Sequence, residues 1–149
     1  MKNDRFDLEY FLPYLLNQAA ETSSLAFQQV YKNRYGMLRT EWRVLFHLGL
    51  YGRMTAGEIG SRAKTHKTKV SRAVHRLVMR RFVNRERDEN DRRVEHLTLT
   101  AAGQAAYVEL SSIAERYEAA LMTSLSDEES TVLRRALAKL AAVETVRFT

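Results

Sequence analysis

Residues 82–100, FVNRERDENDRRVEHLTLT, interrupt a chain whose apolar residues otherwise recur at helical spacing. Val94 to Leu99 alternates over a β-branched run, a period of two in place of 3.6, and Phe82 to Arg87 is a second candidate strand. The polar stretch RDENDR joins them, so the pair reads as a β-hairpin, although its loop lacks an Asn-Gly type of turn. One hairpin inserted among helices leaves few architectures open, and the helices before it narrow them further.

Apolar residues from Leu8 to Val30 predict a long first helix that begins near Pro13, since proline is tolerated only in a first turn, and ends at Tyr35-Gly36. Thr40 is the expected N-cap of a short helix carrying Trp42, Leu45, Phe46 and Leu48, closed by Gly49 and Gly52. Thr55-Ala56-Gly57-Glu58 has the spacing of a capping box and opens a second short helix to about Ala63. A third starts at Thr65 or His66 and runs to about Arg81. After the hairpin, Thr100 can cap a helix over about 101–124, and Ser126 with Glu129 forms a capping box for one over 127–146. Three short helices followed directly by a hairpin are the layout of a winged helix-turn-helix. The expected fold is mainly α with a small β-hairpin wing.

Charge is concentrated in this same region. From Arg62 to Arg87 ten Lys or Arg face one acid, a net +9, whereas the rest of the chain sums to −3. Such a segment is expected where a polyanion docks; a merely solvated basic face is the alternative. In residues 65–77 the apolar Val70, Ala73, Val74 and Leu77 fall at i, i+3, i+4 and i+7 and should pack inward. His66, Lys67, Thr68, Lys69, Ser71, Arg72, His75 and Arg76 then lie elsewhere on the helix, where Lys and Arg can reach phosphates or guanine and Thr and Ser either phosphate or base. Arg80, Arg81, Arg85 and Arg87 lead into the wing, and Arg92 and Arg93 sit at its tip, where arginine suits a narrow minor groove. Asp88, Glu89 and Asp91 are candidates to pair with these arginines and shape the tip.

The run Asp91-Arg92-Arg93-Val94-Glu95-His96-Leu97-Thr98-Leu99-Thr100 fits the D-x-R-x-x-x-x-x-L-T wing pattern of the multiple antibiotic resistance regulator (MarR) family. Gly103 and the order of elements also resemble that family, over essentially the whole chain. The resemblance implies a homodimeric transcription regulator on pseudo-palindromic double-stranded DNA, a recognition helix at 66–80, a structural Asp91 and an Arg93 at the minor groove. The chain has no Cys, so the Cys-based peroxide sensors of the family are not its model.

On this reading residues 37–100 form the DNA-binding lobe, and 6–34 with 101–147 a helical dimerisation lobe. The terminal helices carry apolar side chains over more than one narrow stripe, among them Leu12, Leu15, Leu16, Ile113, Tyr117, Leu133, Leu137 and Leu140. A monomer would expose part of this surface, which favours a dimer over an intramolecular bundle of the same helices. Five basic against seven acidic residues in 101–149 turn this lobe away from DNA.

No nucleophile, phosphate loop or carboxylate pair stands in a recognisable frame, so no enzyme and no cofactor is expected. The four histidines have no metal spacing: His66 and His75 would sit about 13 Å apart along one helix. The charged N-terminus and the lack of a long apolar run predict a cytoplasmic protein without a membrane partner. A small-molecule effector is a further expectation, with Tyr14, Trp42, Phe46 and Tyr51 as candidate cleft residues and plain core packing as their alternative. An architectural DNA-binding protein and a winged-helix protein-interaction module remain the other readings.

Overall fold

The computed structural model describes residues 5–143. A 3-10 turn, Leu8–Tyr10, precedes α1 (Leu12–Tyr35). Then follow α2 (Arg39–Tyr51), β1 (Met54–Thr55), α3 (Ala56–Ala63), α4 (Lys67–Met79), β2 (Val83–Arg87), β3 (Glu95–Leu99), α5 (Ala101–Met122) and α6 (Asp127–Ala142). The chain falls into two compact units, Met1–Ala114 and Glu115–Thr149.

Local chemistry explains most boundaries. Pro13 occupies the first turn of α1, and Gly36 ends the helix at φ 61°, in the left-handed region that glycine enters without steric cost. Thr55 accepts the Glu58 N–H at 3.2 Å and opens α3. Ser126 and Glu129 satisfy each other's backbone N–H groups at 3.1 and 3.0 Å and open α6. Lys64 takes the left-handed conformation, φ 52°, in the turn between α3 and α4. The expected end of α6 at Val146, like residues 144–147 of the helical lobe, lies outside the described residues.

The structure differs from the sequence reading at α2. Its N-cap is Leu38, not Thr40. The cap is supplied from inside the helix: the Glu41 carboxylate, only 2% exposed, accepts the Leu38 N–H at 2.5 Å. That burial is tolerable because the anion sits in the first helical turn and accepts a backbone donor. Gly49 does not close α2 but lies within it, because a Cβ there would come within 2.4 Å of the Tyr107 ring.

The wing is a three-stranded antiparallel sheet in the order β1-β3-β2, with Met54 opposite Leu97, Val83 opposite Leu99 and Arg87 opposite Glu95. The core of the first unit joins Tyr31 of α1, Val44, Leu45 and Leu48 of α2, Ile59 of α3, Val70, Val74 and Leu77 of α4, Leu97 of β3 and Leu110 of α5, all buried. Burying Val70, Val74 and Leu77 stabilises by about 2 kcal/mol each relative to exposure, which fixes the rotation of α4 about its axis. An aromatic cluster seats the second half of α1 on α2. Phe27 lies 5.5 Å and Tyr31 5.6 Å from Trp42, and Phe46 reaches Tyr107 of α5 at 5.3 Å.

Candidate nucleic-acid interface

The rotation of α4 decides what this helix offers to solvent. With Val70, Ala73, Val74 and Leu77 buried, His66, Lys67, Thr68, Lys69, Ser71, Arg72, His75 and Arg76 are all exposed. No ion pair among the described residues engages Lys67, Lys69, Arg72 or Arg76. The helix therefore carries an unneutralised cationic face. His66 caps it: Nδ1 accepts the Thr68 N–H at 3.2 Å, so in the neutral ring the proton sits on Nε2. Lys69, Arg72 and Arg76 line a cleft of about 210 Å³ together with Leu38 and Thr40 at the start of α2. The sequence reading treated Thr40 as a cap and missed this placement; the signal is the long-range packing of α2 against α4, which no local pattern encodes.

The wing has its own scaffold. Asp88 accepts the N–H groups of Asn90 and Asp91, both at 3.0 Å, and its other oxygen lies 2.9 Å from His96 Nε2 on β3. Asp91 in turn accepts the Arg93 N–H at 3.0 Å and its Nε at 3.2 Å. Two aspartates folding the backbone onto themselves replace the missing Asn-Gly turn. Asp88 thus pairs with a histidine and the backbone, and only Asp91 pairs with an arginine of the tip. Arg93 keeps 90% of its side chain exposed, and Arg92 and Arg87 are exposed without an ion pair among the described residues. Arg85 is partly neutralised by Glu95 across the strands at 3.8 Å.

The hydrogen bond from His96, then those from the Asn90 and Asp91 N–H groups, hold the Asp88 carboxyl below the usual aspartate range. A depressed folded-state pKa means that Asp88 stabilises the wing fully above the unfolded value, about 3.9, and loses this as pH falls through the folded value. The expected result of an NMR titration is an Asp88 midpoint below 3.9 that moves up toward about 3.9 in His96→Ala. A midpoint unmoved by the substitution would contradict the assigned cause.

Not all of the basic segment belongs to this face. Arg62 stacks over the Tyr51 ring at 4.0 Å from its centroid, and Arg80 donates to the Tyr35 carbonyl at the end of α1. The four candidate cleft aromatics are divided as well. Trp42 and Phe46 meet at 5.1 Å in the α1–α2 cluster, whereas Tyr51 is paired with Arg62 and lies 6.0 Å from His47. Tyr14 is half-buried near the start of α1.

The residues expected at a dimer interface fall on three helices. Leu12 and Leu15 of α1 are exposed and Leu16 is half-buried, as are Ile113 and Tyr117 of α5. Leu133, Leu137 and Leu140 are exposed on α6, a helix that buries none of its residues. No described helix is long and apolar enough to cross a membrane.

Comparison with known proteins agrees with this layout. A family model described as MarR family matches residues 35–94, which span α2 to the wing tip. The HTH-type transcriptional regulator YwoH of Bacillus subtilis is 26% identical over 124 residues, covering 82% of this chain and 90% of its own. NadR, solved in complex with 4-hydroxyphenylacetate, is 26% identical with a TM-score of 0.75, over 97% of this chain and 99% of its own. BpsR of Bordetella bronchiseptica, whose DNA binding is regulated by 6-hydroxynicotinic acid, shares the fold at 21% identity with a TM-score of 0.85, over 94% and 99% of the two chains. The relatives are transcriptional regulators, not enzymes.

Proposed function

We propose that this chain, which a MarR family model matches over residues 35–94, is a DNA-binding transcriptional regulator of that family and within it a sequence-specific repressor acting as a homodimer on a pseudo-palindromic operator. One observation carries the reading: the buried stripe of α4 leaves Lys67, Lys69, Arg72 and Arg76 exposed and unneutralised on the rest of the helix. A helix 10–12 Å wide fits the major groove. His66, Lys67, Thr68, Lys69 and Ser71 in its first turns are assigned to base edges and nearby phosphates, and Arg72, His75 and Arg76 to the groove and its flanking backbone. Arg85, Arg87, Arg92 and Arg93 of the wing are assigned to the adjacent minor groove and phosphates, with Asp91 orienting Arg93.

The exposed apolar side chains of α6 support dimerisation. Leu133, Leu137 and Leu140, with Leu12, Leu15, Leu16, Ile113 and Tyr117, are assigned to a two-fold interface, which spaces two recognition helices for successive major grooves. The mechanism is steric occlusion of a promoter in the cytoplasm. A small-molecule effector that changes the separation of the two α4 helices releases the DNA; Trp42 and Phe46 are the aromatics assigned to its site.

Selection of binders from a pool of random duplexes tests the reading. The expected result is an inverted repeat whose half-sites are centred about 10 base pairs apart. A pool that binds without enrichment would contradict it and favour an architectural DNA-binding protein.

A further inference from the structure

Arg80 belongs by sequence to the cationic segment and ends the recognition helix as its C-cap. Its guanidinium is nevertheless engaged. It donates to the Tyr35 carbonyl in the last turn of α1 and lies 5.2 Å from the centre of the Phe82 ring. Tyr35 packs edge-on against the same ring at 6.0 Å. Glu109 of α5 holds Arg34 of α1 at 2.8 Å, and burial together with this nearby carboxylate pushes the Tyr35 hydroxyl pKa up. Gly36 lies alongside; a Cβ there would approach the Arg80 guanidinium to 3.5 Å.

The opposite side of the same junction is held by the start of α5. Thr100 donates its N–H to the Phe82 carbonyl at 3.1 Å and its hydroxyl to the Arg81 carbonyl at 2.7 Å. Residues 80–82, where the recognition helix turns into the wing, are thus clamped between α1 and α5. The last carbonyls of α1 lack intrahelical partners and carry partial negative charge, so a cation is favourable there. A planar guanidinium can bond that carbonyl while stacking on a ring, which a lysine ammonium cannot reproduce.

We propose that Arg80 is a positioning residue and not a DNA contact: it locks the end of the recognition helix and the root of the wing to the end of α1. In the dimer, the separation of the two recognition helices then follows the end of α1 through this lock. The proposal rests on the DNA-binding reading above and goes beyond it in removing a cation from the DNA face and giving it the control of half-site spacing.

The test compares the full-length protein with Arg80→Met, Arg80→Lys and Arg76→Ala on the selected duplex. Duplexes with one base pair added or removed between the half-sites, which changes their separation by about 3.4 Å and their relative rotation by about 35°, complete the set. A phosphate contact contributes about 0.9 to the log–log salt slope, and each substitution occurs twice per dimer. Arg76→Ala is therefore expected to lower the slope by about 1.8 and to keep the spacing preference. Arg80→Met and Arg80→Lys are expected to keep the wild-type slope and to lose the spacing preference, lysine failing to rescue because charge alone does not form the lock. A slope that falls in Arg80→Met as in Arg76→Ala overturns the proposal, and so does an unchanged spacing preference. Hydrogen exchange on the free protein keeps the question separate from DNA: Arg80→Met is expected to speed exchange at Gly36, Met37 and residues 81–83. If the wild type fails to prefer the selected duplex, the DNA reading falls on its own, and unchanged exchange at those amides is then the result that overturns the lock.

Discussion

Gly103→Ala lowers the melting temperature by about 10 °C. A Cβ at this position would stand 2.1 Å from the Phe82 carbonyl oxygen and 3.3 Å from Leu99 Cδ2. The oxygen is backbone and already accepts the Thr100 N–H at 3.1 Å, so relief requires α5 to move away from the root of the wing. Overpacking of this kind costs about 3 kcal/mol, and a chain of this size loses about 3 °C per kcal/mol. Gly57→Ala is the control. Its Cβ would meet only Thr55 Oγ1, at 3.9 Å, and replacing glycine inside a helix stabilises by about 0.5–1 kcal/mol. Thermal melts followed by circular dichroism decide the matter. A Gly103→Ala melt within about 2 °C of wild type would mean that α5 and the wing are not in the close contact described.

The second large effect concerns binding. Arg72→Ala and Arg76→Ala each weaken affinity for the operator about 100-fold, because each removes two cations from a dimer and each direct contact is worth about 1–3 kcal/mol. Both residues are exposed and outside the buried stripe of α4, so the melting temperature should stay within the scatter of surface substitutions. The combined variant should lower the salt slope by about 3.6, four phosphate contacts at about 0.9 each. Anisotropy titrations across a salt series measure both quantities. Unchanged affinity in the double variant would show that this face of α4 is not the one that meets DNA.

Much of this architecture is legible in the sequence, because amphipathic spacing and caps are local. The stripe Val70, Ala73, Val74 and Leu77 identifies the buried side of α4, and alternation from Val94 to Leu99 identifies the returning strand. What escapes is whatever depends on contacts far along the chain. β1 is only two residues long and exists because Met54 and Thr55 meet Leu97 and His96. Gly49 reads as a helix end until Tyr107 packs over it. Leu38 carries no capping side chain, so the true start of α2 is hidden in a buried glutamate three residues later.

The site divides in the same way. That His66 to Arg76 bear the cationic face follows from periodicity alone. That Arg62 covers Tyr51 and Arg80 anchors α1 does not, since a charge count treats every arginine alike. The tip of the wing is intermediate: the charges at 88–93 mark it as special, but only three dimensions reveal Asp88 joined to His96 and Asp91 to Arg93.

The most direct test of sequence-specific binding is competition anisotropy: the selected inverted repeat, labelled, is challenged with unlabelled repeat and with scrambled duplex at one physiological salt concentration. The account predicts that the repeat competes better than the scrambled sequence by a factor on the order of 10³ or more. Equal competition by the two duplexes would contradict it.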